Sequence, residues 1–365
     1  MTSLENIIIA SAQAGLKLQR DDGSFPSGHN GSWNVQETPV RNTAHWLLTQ
    51  AKAYEITQNI TFKDAVEKAG VYLMGSKARP FGYTFHIMER KGWSTNGIVG
   101  QAWVLEALLT AYQILQNDKF MDAARDLVMK HSFNKKLSLW CITTLEGKIS
   151  REHTTLNQQI WFTALAHKVG MMTNDSHIRE NTVLSANSFP GLFKYNGKFI
   201  HMIVSEKIYL KYDIKSYLMW KWNFIKNRKN FDALSKGYIA YSLYPLALLH
   251  ETDRSLPVWN NPRLRKLIAS SLVYLDRYIF RYAVEDNPYA FTYHPTGFET
   301  AFILESFSGF SDQTKRTKKD WITKQLDQHY DFQDNLMCKN TCDPVTLSAR
   351  LYEATRIKDM NIEVI

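Results

Sequence analysis

The sequence predicts an all-α fold, an (α/α)6 toroid of six helical hairpins with short β-hairpins at one mouth. Three observations predict it. Helical stripes of apolar residues recur in pairs joined by short turns. The helix that opens each pair starts with a small or polar cluster and soon reaches an aromatic, as in Asn42-Thr43-Ala44-His45-Trp46 and Gly100-Gln101-Ala102-Trp103. The stretches that lead into those helices are polar, aromatic and strand-like. Opening helices recur roughly every 50 to 80 residues, a spacing that signals toroids, solenoids or arrays.

Taken in order, Leu4 to Lys17 carries a first helical stripe, stopped by Gly23 and Pro26. Asn42 to Ile56 and Thr61 to Met74 form the first hairpin, Asn96 to Gln116 and Asp118 to Met129 the second, and Thr155 to Val169 and Asp175 to Asn187 the third. Lys236 to His250 pairs with Pro262 to Tyr282, and Gly297 to Phe307 with Lys318 to Tyr330. Val345 to Arg356 is the last helix, and its missing partner is Leu4 to Lys17. That pairing closes the ring and removes the capping problem of an open array. Strand-like connections are expected at Arg79 to His86, Leu137 to Ile149 (turning at Glu146-Gly147), Leu192 to Val204 (turning at Asn196-Gly197) and Tyr289 to His294. All precede an inner helix, so they gather at one mouth. With the Asp21–Trp46 stretch they make a polar, aromatic funnel there.

Composition agrees with one folded domain over residues 1–365. The chain is 44% hydrophobic and 22% charged, with 10 Trp, 18 Tyr and 19 Phe, enough for a large core. A net charge of +9 favours anionic partners. The basic residues are scattered except in Lys221 to Lys229 and Lys315 to Lys324, which read as solvated helix faces or loops. No nucleic-acid motif accompanies them, so no nucleic-acid partner is expected. Leu4 to Ala10 is too short for a secretory leader, and no apolar run approaches the roughly 20 residues of a membrane helix. The odd set Cys141, Cys338 and Cys342 argues for free thiols in a reducing compartment. A cytoplasmic location is expected. No metal or cofactor is expected either: Cys338 and Cys342 lack a His partner, and the Gly23 to Gly31 stretch lacks the strand-loop-helix context of a phosphate loop.

The repeat pattern resembles the six-hairpin (α/α)6 glycosidase-like superfamily. Asp22-Gly23-Ser24-Phe25-Pro26, Gly28-His29-Asn30-Gly31 and Glu37-Thr38-Pro39-Val40-Arg41-Asn42-Thr43-Ala44-His45-Trp46 resemble, more narrowly, the VpsJ/AglQ-type proteins of polysaccharide-biosynthesis and glycosylation gene clusters. Asn96-Gly97-Ile98-Val99-Gly100-Gln101-Ala102-Trp103 and Leu156-Asn157-Gln158-Gln159-Ile160-Trp161-Phe162 fit the same resemblance, which covers about the first 170 residues well. It implies a carbohydrate-active, glycosidase-like protein of surface-polysaccharide or exopolysaccharide biosynthesis. Its partner is then an oligo- or polysaccharide, with anionic and lipid-linked forms both compatible. Gln19-x-x-Asp22-Gly23-Ser24-Phe25 also resembles the repeat of terpene cyclases. Only one copy is present, and the Asp-rich motif is missing.

Glycoside hydrolysis needs one protonated and one ionised carboxyl across the scissile bond. Asp22 or Glu37, facing Glu299 from the other side of the ring, are the candidates, although Asp22-Gly23 is also a turn signal. Lyase or epimerase chemistry on an acidic glycan needs a base and groups that stabilise an enolate. His29, His45, His86, His153, His294 and Tyr293 are possible bases and Arg41, Asn42, Asn96, Asn157 and Gln158 possible stabilisers; His45 with Arg41 one turn earlier on the same face is the more specific pair. His29, Asn30, Asn42, His86, Asn157, Tyr293 and His294 are candidate substrate-binding groups. Trp33 and Trp93, in loops, are candidate sugar platforms. Arg41 has two roles open to it, a ligand carboxylate or a salt bridge to Glu37. The third possibility is a non-catalytic glycan-binding or assembly protein built on the same toroid.

Overall fold

The computed structural model describes residues 2–192, 225–311 and 313–363, together with positions 215, 218 and 222. Strand β1 (Thr2–Ser3) leads into α1 (Leu4–Leu16), followed by α2 (Val40–Thr57), α3 (Ile60–Met74), α4 (Val99–Leu115) and α5 (Asp118–Met129). A three-stranded antiparallel sheet, β2 (Phe133–Asn134), β3 (Leu139–Thr143) and β4 (Ile149–Glu152), comes before α6 (Leu156–Met172) and α7 (Ser176–Leu192). Beyond it lie α8 (Arg228–Gly237), α9 (Ile239–Thr252), α10 (Pro262–Arg277), α11 (Thr296–Ser306), α12 (Lys318–His329) and α13 (Pro344–Ala349). The last helix tightens into a 3-10 segment, Arg350–Arg356, and the chain ends in β5 (Asn361–Ile362).

Helices α2, α4, α6, α9, α11 and α13 with its 3-10 extension pack in that order, and the last returns to α2. They are the inner ring. α3, α5, α7, α10 and α12 each back the inner helix that precedes them, and α1 packs on α2 and the 3-10 segment. Antiparallel pairing of Thr2 with Ile362 and Ser3 with Asn361 brings together the segments that flank α1 and the 3-10 segment.

Local sequence explains the alternation of tight and long connections. α2 ends at Gln58 and α4 at Gln116, both left-handed (φ 56° and 52°), and the next residue, Asn59 or Asn117, caps the outer helix with its side chain. In these two hairpins the inner and outer helices therefore join through two residues. At the mouth the connections are long, and the first turn of an inner helix grips each one. Thr43 Oγ1 accepts the Phe25 N–H, Gln101 Oε1 the Phe85 N–H, and Gln159 Oε1 the Trp140 N–H. The two glutamine amides also donate back to Phe85 O and Trp140 O. Buried backbone groups that have no ladder partner are satisfied this way.

Several expectations are corrected. Arg79 to His86 is a turn and not a strand: Gly82 is left-handed (φ 71°), and Arg79 donates twice to Tyr83 O. Tyr289 to His294 folds back through Phe291 at φ 58°, leaving one isolated bridge between Ala290 and His294. The expected helix Pro262 to Tyr282 ends at Arg277. The Leu137 to Ile149 hairpin is present as β3 and β4, whereas the Leu192 to Val204 hairpin falls outside the described residues.

Candidate functional site

The loop before α2 builds the rim. Asn30 and Gly31 are both left-handed (φ 59° and 57°), and a Cβ on Gly31 would lie 2.0 Å from the Tyr293 ring. Asp343 fixes this loop from more than 300 residues away. Its Oδ2 accepts the His29 and Gly31 N–H groups at 3.0 and 2.9 Å, and its Oδ1 caps α13 through the Thr346 N–H. Burial works against its charge, but these N–H groups outweigh burial and hold the carboxyl below its usual range. Trp33, 45% exposed, donates its indole N–H to the Tyr238 hydroxyl and leans on Tyr289.

Below the rim, Arg41 donates to Glu37 Oε1 at 2.7 Å, to Asn30 Oδ1 and to the Tyr293 hydroxyl, with Trp103 under its guanidinium at 4.3 Å. Burial lifts the Glu37 carboxyl above its ordinary range despite Arg41 beside it. Arg350, on the neighbouring inner segment, also lies 5.6 Å from the Tyr293 ring. Its Nη2 donates to Glu353 Oε1 at 2.6 Å and Glu299 Oε1 at 2.9 Å, and its Nη1 donates to Tyr293 O and His294 Nδ1. Since His294 accepts at Nδ1, its neutral ring carries the proton on Nε2. The remaining carboxyl oxygens of Glu299 and Glu353 meet no N–H or O–H among the described residues. A proton held by one of the two acids can join them. Burial raises both carboxyls, Glu299 further by the Glu353 charge and Glu353 against the pull of Arg350, so the pair shares a proton.

One turn deeper, His45 stacks on Tyr352 at 4.4 Å and meets the Trp103 edge at 5.4 Å. Neither ring nitrogen has a hydrogen-bond partner among the described residues, although the residue is buried. Burial first, then Arg41, Arg350 and Arg356, keeps the imidazole neutral far below its ordinary titration range. The Tyr352 hydroxyl, the Trp161 indole N–H and Arg41 Nε are likewise buried without partners among the described residues. All four residues sit on inner helices. At the floor, Arg356 binds Glu106 and the Tyr244 hydroxyl.

The candidate residues thus separate. Asn30, Glu37, Arg41, His45, Tyr293, His294 and Glu299 come together around the axis, with Trp33 at the rim. Asp22 does not join them. It serves a turn, accepting from Ser24 N and Oγ and pairing with Lys77, and the Ser24 hydroxyl above all holds its pKa at about 2. His29 bonds the Cys342 carbonyl and His86 the Met88 carbonyl. Trp93 lies exposed near Arg90, Asn42 donates to Pro26 O, and Asn157 is buried in the first turn of α6. Asp343, Arg350, Glu353, Tyr238, Tyr241 and Tyr352 were not expected. Arg350 and Glu353, spaced i and i+3 on an inner helix, are the one local signal that pointed to them. Asp331, Asp334 and Cys338 bring metal-capable atoms within 4.8 Å of one another, but Asp331 pairs with Lys339 and burial raises the Cys338 thiol, which favours its protonated form.

No protein-family model matches the sequence. Among solved structures, a cellobiose 2-epimerase from Bacillus thermoamylovorans superposes with a TM-score of 0.65 over 94% of each chain at 10% identity. An unsaturated glucuronyl hydrolase specific for heparin superposes with a TM-score of 0.60 over 97% of this chain and 95% of its own, at 9% identity. These likenesses establish the six-hairpin glycosidase-like fold. Archaeal glycosylation protein Q of Haloferax volcanii is 35% identical over 376 aligned positions that span 99% of both chains. The chain is therefore a member of the archaeal glycosylation protein Q family, built on the six-hairpin toroid.

Proposed function

We propose that the protein is a carbohydrate-active enzyme of glycan assembly that moves a proton at a sugar carbon, as an epimerase or uronate lyase does, on an acidic unit of an oligo- or polysaccharide. The carrying observation is His45, a buried neutral imidazole whose two nitrogens have no hydrogen-bond partner among the described residues, one turn from Arg41. A base must be neutral to accept a proton, and the anion formed needs a fixed cation nearby. In this reading His45 takes the proton from the carbon beside a carboxylate or carbonyl. Arg41, whose Nε is unpartnered, receives the negative charge that develops on oxygen. His294, with its proton on Nε2, and Glu299 are the groups able to return one. Trp33 supplies a stacking surface at the entrance. The relative named for glycosylation, and a fold shared with an epimerase and a glucuronyl hydrolase, support a sugar substrate.

A glycoside hydrolase is the second reading. The Glu299–Glu353 pair favours it, because burial keeps a proton between the two acids. Against it, both carboxyls are held on the same Arg350 nitrogen and lie within hydrogen-bond reach of each other, whereas the carboxyls of retaining enzymes stand roughly 5 Å apart. Product analysis on the host's extracted glycan separates the readings. Proton transfer predicts an epimerised sugar, or the ultraviolet absorbance of a new double bond. New saturated reducing ends alone would favour hydrolysis, and retained glycan with no product would favour an assembly role.

A further inference from the structure

We propose that the Gly28-His29-Asn30-Gly31 loop acts on the glycan through Arg41, and that Asp343 is the positioning residue that sets this guanidinium with its Nε left for an acidic group of the ligand. The assignment deepens the proposed function and rests on it, since it takes Arg41 as the group that meets the ligand.

Asp343 is 2% exposed and caps α13. Its Oδ2 gathers the backbone N–H groups of the residues on either side of Asn30, His29 at 3.0 Å and Gly31 at 2.9 Å. That grip holds Asn30 in its left-handed conformation, where its Oδ1 accepts from the Tyr293 hydroxyl and from Arg41 Nη1. A second route starts from the same capped turn. Thr346, whose N–H bonds Asp343 Oδ1, donates its hydroxyl to Glu37 Oε2 at 3.4 Å, and Glu37 Oε1 accepts from Arg41 Nη1 at 2.7 Å. Both routes end on one nitrogen.

The rest of the motif serves the same end. A Cβ on Gly28 would lie 1.9 Å from Thr346 Oγ1 and 2.6 Å from Asp343 Oδ1, so glycine is what lets the loop come this close. The His29 ring is turned to the same segment, its Nε2 donating to the Cys342 carbonyl at 2.8 Å. The consequence falls on Arg41. All three of its side-chain hydrogen bonds to described residues leave from Nη1, and Trp103 lies under the plane at 4.3 Å. The guanidinium is thus held by one nitrogen and one face, while Nε has no partner among the described residues. A carboxylate is the acceptor that matches such a donor, because an N–H bond between ionised groups is roughly twice as strong as a neutral one. Without the clamp Asn30 is free to leave, and Nη1 then competes with Nε for the ligand.

Asp343→Asn keeps the shape but gives up one acceptor, and Asn30→Gly keeps the left-handed backbone but removes the side-chain oxygen. Steady-state kinetics of the full-length protein on oligosaccharides released from the host glycan should show KM raised about tenfold in either variant, with kcat changed less. The double variant should show no further rise, because both residues act along one chain of contacts. NMR of the Arg41 Nε–H, assigned by its loss in Glu37→Gln/Arg41→Met, should show hydrogen exchange about tenfold faster in either variant than in the native protein. This second measurement needs no turnover, so a failure of the proposed reaction leaves it able to decide the positioning role. Circular dichroism checks folding, and should Asp343→Asn not fold, Asn30→Gly carries both measurements. Native-like Nε–H exchange in the folded variants would overturn the proposal. So would KM effects that add in the double variant, which mark two unconnected losses.

Discussion

Arg41 answers two demands with one guanidinium. It neutralises Glu37 at 2.7 Å, yet its Nε remains buried and unpartnered. Of the two roles open from sequence, the salt bridge is therefore filled while a donor is left for a ligand. Arg41→Ala would abandon Glu37 as a buried charge, and removing one partner of such a pair costs roughly 3–5 kcal/mol. Urea denaturation should show a loss of that size, and Glu37→Gln/Arg41→Met should recover part of it. A variant as stable as the native protein would mean that the pair adds nothing. The histidines give a pH dependence of definite sign. Burial lowers His131 and His329 to about 4, from an ordinary value of about 6.5. Between these values the unfolded chain binds protons that the folded chain refuses. Stability is then level above about pH 6.5 and falls below it, by about 1.4 kcal/mol per pH unit for each such histidine, down to about pH 4. His45 acts in the same direction. Urea midpoints measured from pH 7 to 4.5 should fall, and His131→Phe should flatten the slope; an unchanged midpoint across that range would contradict the assignment.

At the scale of elements, helices were legible and the connections were not. Apolar spacing marked both members of every hairpin, because burial against a neighbouring helix imposes a period of 3.6. The connections alternate in sequence like strands, but left-handed residues such as Gly82 and Phe291 and the first-turn side chains of the inner helices decide their path. Gln159 shows the strength of that clasp: its amide satisfies the Trp140 N–H and C=O and the His153 C=O together. Gln159→Leu keeps helix propensity and volume but strands a buried N–H, for which about 1–3 kcal/mol per unsatisfied group is expected. Thermal or urea unfolding should register this loss, whereas an exposed helical glutamine such as Gln13 should tolerate the same change. Equal effects at the two positions would sink the clasp.

At the scale of the molecule, ring closure was readable from the count of opening helices and from two unmatched ends, Leu4 to Lys17 and Val345 to Arg356. What no local pattern could supply is the pairing between neighbouring segments of the ring. Asp343 reaches His29 and Gly31 across the junction where the last inner segment meets α2, and Arg350 reaches Glu299 on the adjacent inner helix. For that reason Glu37 and Glu299 read as partners in sequence, whereas each is matched to its own arginine in the structure. The central claim is that the axial imidazole takes a proton from carbon. Incubating oligosaccharides released from the host glycan with the protein in deuterium oxide, followed by proton NMR, tests it most directly. The account predicts deuterium at one sugar carbon with the native protein and none with a folded His45→Gln variant. New reducing ends with no deuterium on carbon, or undiminished exchange in His45→Gln, would contradict it.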